Sequence, residues 1–418
     1  MYEYQKDNVF FAQVPGMMET ICQEELIELG AADTKIAYRG IYFKADPVSL
    51  YRINYTSRLT SRVLAPLITF PCRNTNALLK IADKIEWEKI FPVDKTFSIT
   101  ASVAKSTINN SLYASQCLKD GIVDYFRKVS GGIRPDVNTT NPDVRFNLYI
   151  EKDVAVISLD TSGESLHKRG YRLLAGEAPM QETLAAAIIR LSKWDGENTL
   201  WDCMCGSGTI LCEALMHYCR IPAQTLRTNF GFFYMPDFNK EIWETLKEET
   251  DKKIRPLPKG LIKGSDKSQK VIEVAADNLS RLPFTESVEL ACHPFQHVKQ
   301  FENGTLITNP PYGIRMGELE EVKELYTELG DFIKQKCKGT KAFIYMGDPV
   351  LRKSIGLKTS KRVPLVNGKL EGVLVQIDSY EGSKKKYYAE YKAEEERQKN
   401  NLKTSPPLFK EGKKRGGL

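Results

Sequence analysis

The segment Asn309-Pro310-Pro311-Tyr312 combines residue types that can hold a planar heterocycle bearing an amino group. It follows Gly304–Thr308, which is predicted to be a short apolar strand. Two consecutive prolines remove two backbone donors and fix φ, so the chain leaves that strand in one defined shape. The carboxamide and carbonyl oxygens can accept hydrogen bonds from an amino group, while the tyrosine ring stacks on the heterocycle. Taken alone, such a Pro-Pro pair is more often only a Pro-rich turn between a strand and the next helix.

Two other segments with chemical potential follow predicted strands in the same half of the chain. Asp202–Thr209 contains two glycines and enters a helix, so its backbone can approach a ligand and the helix N-terminus can bind an anion. It lacks the Gly-Lys-Ser/Thr ending of a P-loop. Gly264-Ser265-Asp266 ends the next strand with a carboxylate suited to ribose hydroxyls. A nicotinamide site would place that acid about 20 residues after the glycines, but the insertion 220–259 separates them here.

Strands and helices alternate through this half, which predicts a doubly wound, mainly parallel α/β sheet. Its carboxyl edge would bring the three segments together. Asn367-Gly368 predicts an antiparallel hairpin, an addition typical of class I methyltransferases rather than of dinucleotide-binding domains. The predicted strands are Thr199–Asp202, Leu261–Ser265, Val288–Ala291, Thr305–Thr308, Ala342–Met346, Val363–Val366 and Leu370–Ile377. The predicted helices are Glu182–Trp194, Thr209–Cys219, Phe238–Lys252, Ser268–Leu279 and Leu319–Cys337.

The first 160 residues predict two α+β modules, a ferredoxin-like one at residues 1–48 and a second at 49–160, which precede the Rossmann-like α/β domain at residues 161–380. The first module contains a predicted helix at Met18–Leu29 and strands at Val9–Val14, Lys35–Tyr38 and Gly40–Lys44. The second contains predicted helices at Ser49–Leu64 and 112–129, and strands at Ala65–Phe70, Thr96–Val103, Phe146–Glu151 and Val154–Asp160. The order of these elements does not suggest a nucleotide-binding fold.

Composition restricts the class of protein. The chain has 418 residues, of which 42% are hydrophobic and 27% charged, enough for two to four soluble domains. No apolar run approaches the ~18 residues of a membrane span, so a cytoplasmic location is expected. Nine cysteines without regular spacing and four histidines without a Cys-x-x-Cys pair predict reduced thiols and no metal site. Cys203, Cys205 and Cys212 could be metal ligands, but they belong to the glycine segment and the following helix.

Positive charge is concentrated at two places. Residues 384–418 contain eleven Lys/Arg against five Glu, a balance of +6 out of the chain's +7, so residues 381–418 are predicted to be a basic, disordered tail that could attract phosphates. Between the two halves, Asp160–Arg172 interleaves Lys168, Arg169 and Arg172 with Tyr171. That pattern suits a nucleic-acid backbone with a stacked base, although an exposed linker would have a similar composition.

These motifs together resemble a known family. Residues 165–378 resemble the class I RNA guanine-N2 methyltransferases, residues 50–160 resemble a THUMP domain, an RNA-binding module, and the whole is most similar to bacterial 23S rRNA guanine-N2-methyltransferases. The resemblance covers about nine-tenths of the chain and rests on Asp160–Arg172, Pro179, Glu182–Ala187, Asp202–Thr209, Ser265-Asp266 and Asn309–Gly317. The chain departs from the family pattern at Cys203, where Pro is usual, at Ile314, where Glu is usual, and at His293, where an acid usually faces adenine.

The resemblance implies S-adenosylmethionine as cofactor, RNA as partner with rRNA foremost, no metal and no membrane, and it is compatible with a monomer. The implied catalytic residues are Asn309, Pro310 and Tyr312. The implied cofactor contacts are Glu182, Thr183, Asp202, Cys205, Gly206, Ser207, Gly208, Thr209, Asp266, Lys267, His293, Pro294, Phe295 and Asn309. The implied RNA contacts are Lys105, Arg134, Lys168, Arg169, Arg172 and Arg315.

Three other functions fit parts of this pattern. THUMP domains also serve tRNA guanine-N2-methyltransferases, and an Asn-Pro-Pro-Tyr turn also serves DNA adenine-N6-methyltransferases. The N-terminal half argues against DNA, because it resembles an RNA module. A non-catalytic RNA-binding protein that retains the cofactor fold is the third alternative, and it would not bind the cofactor.

Overall fold

The computed structural model describes residues 1–172, 180–312 and 319–380, and the strands of its first 160 residues form one continuous sheet. The strands are β1 (Val9–Gln13), β2 (Ala32–Ala37), β3 (Gly40–Lys44), β4 (Arg62–Pro71), β5 (Phe97–Ala104), β6 (Val144–Glu151) and β7 (Val154–Asp160). Their order in the sheet is β2-β3-β1-β4-β7-β6-β5, and all neighbouring pairs are antiparallel except the parallel pair β5–β6. The helices are α1 (Tyr4–Asp7), α2 (Glu19–Glu28), α3 (Pro47–Thr56), α4 (Asn76–Ala82) and α5 (Ser111–Val129).

Strand β4 pairs with β1 on one side and with β7 on the other, so it connects the two predicted modules within one sheet. The predicted helix Ser49–Leu64 is wrong in its second half, because α3 ends at Thr56 and β4 begins at Arg62. A distant carboxylate ends the helix: Glu25 accepts hydrogen bonds from Ser57 Oγ at 2.7 Å and from the N–H groups of Arg58 and Leu59 at 2.9 and 3.1 Å. The domain limits 48, 160 and 380 stay predictions.

The second sheet confirms the predicted class I methyltransferase topology. The strands are β8 (Leu200–Asp202), β9 (Ile262–Asp266), β10 (Glu289–Cys292), β11 (Thr305–Thr308), β12 (Lys341–Met346), β13 (Lys361–Asn367) and β14 (Leu370–Asp378). Their order in the sheet is β10-β9-β8-β11-β12-β14-β13; the first five strands in this order are parallel, and the hairpin β13–β14 is antiparallel to them through β14. The chain order reverses between β8 and β11, the position at which open α/β sheets bind ligands. The helices are α6 (Glu182–Ser192), α7 (Thr209–Cys219), α8 (Lys240–Asp251), α9 (Gln269–Leu279) and α10 (Leu319–Lys336).

A buried cluster of charges joins the two sheets. Arg58, just after α3, donates from Nη2 to the carbonyl oxygens of Met216 and Ile221 at 2.7 and 2.6 Å. Glu213 on α7 accepts from Arg169 Nε at 3.3 Å and from the Tyr171 hydroxyl at 3.1 Å. Because α7 starts at the glycine segment, these contacts fix that segment relative to the N-terminal half.

Two findings concern membranes and metals. Among the helices of the described ranges, none is both long and apolar enough to cross a membrane. Those ranges also contain no group of three or more His, Cys, Asp or Glu side chains that could bind a metal ion.

Candidate active site

The glycine segment forms an open backbone turn between β8 and α7. Gly206 and Gly208 have φ angles of +53° and +79°, in the left-handed region that favours glycine. A Cβ added to Gly208 would lie 3.1 Å from Ala275 Cβ, whereas one added to Gly206 would meet nothing within 4 Å. The Cys205 N–H donates to the Ser265 carbonyl at 3.0 Å, which ties the turn to β9. Open space above Gly206 and the free N–H groups of α7 therefore fit a bound cofactor.

Asp266 is held beside this turn at the end of β9. Its Oδ2 accepts from the Gly206 N–H at 3.2 Å and its Oδ1 from the Ser268 N–H at 3.1 Å. A carboxylate has about four acceptor sites, so acceptor capacity remains for ribose hydroxyls. The ribose contact of Asp266 stays a prediction.

Asp202 links the glycine turn to the Asn-Pro-Pro-Tyr segment. Its Oδ1 accepts from Thr308 Oγ1 at 2.9 Å and from the Met204 N–H at 3.3 Å. Burial, together with the nearby Asp266 charge, raises the pKa of Asp202 to about 7, while the hydrogen bonds from Thr308 and Met204 oppose the rise. Because Thr308 directly precedes Asn309, this hydrogen bond fixes the end of β11 against the end of β8.

Arg172 bridges the start of α6 and the start of α7. Its Nη2 donates to the Met180 carbonyl at 2.8 Å and to Thr209 Oγ1 at 3.0 Å, and it lies 3.5 Å from Glu182 Oε1. Burial raises the pKa of Glu182, and the Arg172 charge opposes that rise. The Arg172 Nη2 atom thus has internal partners, and the RNA contact of Arg172 stays a prediction. The Thr183 hydroxyl is buried and finds no hydrogen-bond partner among the described residues.

At the end of β11, Asn309 and Tyr312 contact each other. The Tyr312 hydroxyl donates to Asn309 Oδ1, so this acceptor is occupied in the present conformation. The Tyr312 ring lies 6.1 Å from the Tyr345 ring in an edge-on arrangement, and burial raises the pKa of its hydroxyl. Within the described part of the chain, the buried Pro310 accepts no backbone hydrogen bond. Two hydrogen-bond acceptors, Asn309 Oδ1 and the Pro310 carbonyl, and the Tyr312 ring thus lie at the end of β11.

The residues predicted to face adenine follow β10. The Phe295 ring is buried and packs edge-on against Phe332 at 5.4 Å. Its side chain is part of the core, so the predicted cofactor contact, which stays a prediction, would use the Phe295 backbone. His293 is partly buried and its Nδ1 lies 3.2 Å from the Pro294 carbonyl, while Lys267 is exposed beyond Asp266.

The predicted RNA-contacting residues fall into two groups. Lys105, Arg134 and Lys168 are exposed, and Lys168 pairs with Glu164 at 2.6 Å. Arg169 is only 2% exposed and binds the Leu166 and Arg58 carbonyls as well as Glu213. Its predicted RNA contact is wrong, because long-range contacts enclose the guanidinium. Arg315, like Pro179 and the tail 381–418, lies outside the described residues.

Three polar residues that support the site were not predicted. Thr308 binds Asp202, Asn278 Nδ2 donates to the Ser207 carbonyl at 3.0 Å, and Trp201 Nε1 donates to Ser265 Oγ at 3.1 Å. A threonine ending an otherwise apolar strand was a detectable signal. The other two contacts cross between elements, so the sequence pattern gives no sign of them.

The fold and the site define a class I methyltransferase that uses S-adenosylmethionine. The defining features are the order of the strands, the glycine turn, the carboxylate of Asp266 and the Asn-Pro-Pro-Tyr segment. Comparison with domain families narrows this class. Residues 169–376 match the RMKL-like methyltransferase domain, residues 72–160 the THUMP domain, and residues 9–64 the RlmL ferredoxin-like domain. The chain belongs to this family of RMKL-like methyltransferases.

Individual relatives agree with the family. The slr0064 protein of Synechocystis sp., named as an RNA methyltransferase, is 35% identical over 89% of this chain and 97% of its own length. Ribosomal RNA large subunit methyltransferase K/L of Psychromonas ingrahamii is 38% identical over 87% of this chain and 49% of its own length. The chain thus spans about half the length of the K/L relatives it matches. The crystal structure of SMU.472 with SAH is 28% identical, covers 90% of this chain and 99% of that one, and has a TM-score of 0.79.

Proposed function

We propose that this protein methylates the exocyclic N2 of a guanine in RNA, with large-subunit rRNA as the substrate class. The observation that carries the proposal is the placement of the Asn309 and Pro310 acceptors at the end of β11, tied through Thr308 and Asp202 to the glycine turn. The THUMP match and the names of the K/L relatives support RNA as the partner.

The residues around the glycine turn would hold the cofactor. Gly206 offers open space, α7 offers N–H groups, and Asp266 offers carboxylate oxygens for ribose hydroxyls. When bound, S-adenosylmethionine supplies an electrophilic methyl group. The buried contacts among Asp202, Thr308 and the glycine turn keep these groups in place before the cofactor arrives.

Asn309, Pro310 and Tyr312 would orient the base. The N2 lone pair of guanine is delocalised into the ring, and hydrogen bonds from N2 to Asn309 Oδ1 and the Pro310 carbonyl would draw the nitrogen towards tetrahedral geometry. Tyr312 would stack on the base, a contact worth about 1–3 kcal/mol. As the N2–methyl bond forms, the methyl–sulfur bond would break, S-adenosylhomocysteine would be the leaving group, and the proton lost from N2 would pass to solvent water. No strong general base is needed, because positioning of two reactants provides most of the acceleration.

Substrate entry requires a change at Asn309. The Tyr312 hydroxyl bonds to Asn309 Oδ1, and because an amide oxygen has two acceptor sites, an arriving N2 amino group would share or displace this bond while Tyr312 turns to stack. The base must also leave its own helix, which costs least in single-stranded or loop RNA.

Nucleoside analysis tests the proposal. Purified protein is incubated with deuterium-labelled S-adenosylmethionine and either rRNA, tRNA or duplex DNA, and the digested nucleosides are identified by mass spectrometry. We expect labelled N2-methylguanosine from rRNA, matching the nucleoside lost from a deletion strain. Label that appears only in tRNA would redirect the proposal to that substrate, and label in DNA N6-methyladenine would contradict it.

A further inference from the structure

The strand next to β11 ends in a carboxylate that the mechanism above does not use. β12 runs parallel to β11, with Thr308 opposite Ile344, and the chain continues past Met346 to the partly buried Asp348. Asp348 Oδ1 accepts from the Val350 N–H at 2.8 Å and so caps the short 3-10 helix Pro349–Lys353. Among the described residues this is the only hydrogen bond of the carboxylate, so Oδ2 keeps its full acceptor capacity.

Asp348 lies beside the ring that is proposed to stack on the base. A Cβ added to the preceding residue, Gly347, would lie 2.6 Å from Tyr312 Cδ2, so the backbone of Gly347 is in contact with the Tyr312 ring. Any larger residue at position 347 would push that ring away. The carboxylate is therefore one residue from the wall of the proposed base pocket.

A buried hydroxyl lies in the same neighbourhood. Tyr326 on α10 is fully buried, and its hydroxyl finds no hydrogen-bond partner within the described ranges. Thr327, the next residue on α10, donates its hydroxyl to the Ser354 carbonyl at 3.0 Å, so α10 packs against the segment that follows Asp348. Burial raises the pKa of Tyr326, and the nearby Tyr312 and Asp348 also raise it. Orphaned buried polar groups are rare and destabilising. The Tyr326 hydroxyl lacks an acceptor and Asp348 Oδ2 lacks a donor among the described residues, which suggests that a ligand forms hydrogen bonds with both groups.

We propose that Asp348 and Tyr326 determine specificity for guanine by reading its N1–H and its O6. Guanine presents donor, donor and acceptor groups in the order N2, N1 and O6, which complements Asn309, Asp348 and the Tyr326 hydroxyl in that order. The Tyr326 hydroxyl is buried in the present conformation, so this contact requires the hydroxyl to become accessible when the base enters. If Asn309 held adenine by its amino group, the N1 lone pair of adenine would instead face the Asp348 carboxylate, and the two would repel each other. This inference rests on the proposed function and refines it.

The test uses RNA oligonucleotides with either guanine or 2-aminopurine at the position mapped as methylated. Both bases carry the 2-amino group, but 2-aminopurine has an unprotonated N1 and no O6. We expect the native protein to prefer guanine strongly. Asp348→Asn keeps an oxygen to cap Val350 but offers an N–H to N1. It should lower kcat/KM for guanine about tenfold to a hundredfold while kcat/KM for 2-aminopurine is maintained or rises.

A second variant distinguishes an effect of the Tyr326 hydroxyl on base specificity from an effect on folding. Tyr326→Phe removes a group without a partner, so thermal stability should be maintained or increase. Its kcat/KM for guanine should fall several-fold, and that for 2-aminopurine, which lacks O6, should not change. Tyr345→Phe is the matched control: its hydroxyl bonds to the Leu365 carbonyl at 3.4 Å, so the ratio between the two bases should stay at the native value.

The outcomes distinguish this inference from the proposed function. A native guanine to 2-aminopurine ratio in both Asp348→Asn and Tyr326→Phe would overturn the specificity role while leaving guanine methylation intact. Failure of the native protein to methylate guanine in any RNA would overturn the proposed function and this inference with it. Collapse of the ratio in Asp348→Asn, with normal cofactor binding by calorimetry, would support it.

Discussion

The carboxyl edge of the second sheet has a cofactor half, at the ends of β8 and β9, and an acceptor half, at the ends of β11 and β12. The two halves differ in how many of their polar groups have hydrogen-bond partners. In the cofactor half, both strand-end carboxylates are bound, Asp266 by the Gly206 and Ser268 N–H groups and Asp202 by Thr308 and Met204. The Thr183 hydroxyl is the exception there, because it has no partner among the described residues. In the acceptor half, Asn309 bonds to a neighbour that must move and the Tyr326 hydroxyl has no partner among the described residues. The cofactor half is preorganised, whereas the acceptor half is completed by its substrate.

The largest effect should come from the acceptor half. Asn309→Ala removes the polar contact proposed to orient N2, and we expect methyl transfer to slow roughly 10²- to 10³-fold, as on loss of one preorganised donor or acceptor. Single-turnover kinetics with labelled cofactor measures this. Cofactor affinity by calorimetry should stay near the native value, because the contacts of the glycine turn do not involve the carboxamide. A variant that keeps the native rate would remove Asn309 from the mechanism.

The next effect concerns cofactor affinity. Asp266→Ala removes a carboxylate that binds two N–H groups beside the glycine turn, and we expect the Kd for S-adenosylmethionine to rise roughly 10- to 100-fold, the range for hydrogen bonds to a charged group. The rate at saturating cofactor should change little. Asp277→Ala, an exposed acid on α9, is the matched control. Equal Kd values for the two variants would contradict the ribose assignment.

The third effect is a pH dependence that originates in Asp202. Its pKa of about 7 means that raising the pH from 6 to 8 ionises the buried carboxylate. The cofactor is cationic and favours the ionised form, so its affinity should increase up to about tenfold across this range. Calorimetry at each pH measures the change, which Asp202→Asn should abolish.

The stability of the protein should follow the opposite trend. A carboxyl whose folded pKa exceeds its unfolded value of about 3.9 binds its proton more tightly in the folded state. Its contribution to the free energy of unfolding is complete below about pH 4 and is lost as the pH rises through about 7. Urea unfolding at several pH values should show this decline in the native protein and not in Asp202→Asn. A pH-independent difference between the two would argue against the raised pKa.

The smallest effect should come from Tyr312→Phe. The variant keeps the stacking ring and removes the hydroxyl that occupies Asn309 Oδ1, so we expect KM for RNA to fall about two- to threefold, the size of one net hydrogen bond. Tyr312→Ala loses the ring as well and should reduce kcat/KM about 10- to 100-fold. If both variants behave alike, the hydroxyl rather than the ring is the essential part.

Local patterns predicted most elements of both sheets. The hairpin at Asn367-Gly368 and the helix predicted at 112–129 depend on neighbouring residues and were therefore predictable. That helix is capped locally, since the Asn110 side chain accepts from the Tyr113 N–H at 2.9 Å. The end of α3 was not, because Glu25 from another helix determines it. Arg169 was assigned to the surface for the same reason: its burial depends on Glu213 and Arg58, which lie far away in sequence.

The central claim is that the cofactor half and the acceptor half of this edge serve one reaction. A crystal structure with S-adenosylhomocysteine tests it most directly. We expect the ligand's ribose hydroxyls on Asp266 and its sulfur facing the Asn309 carboxamide, across a gap that admits one base. A ligand bound away from the glycine turn, or a sulfur facing away from Asn309, would contradict the account.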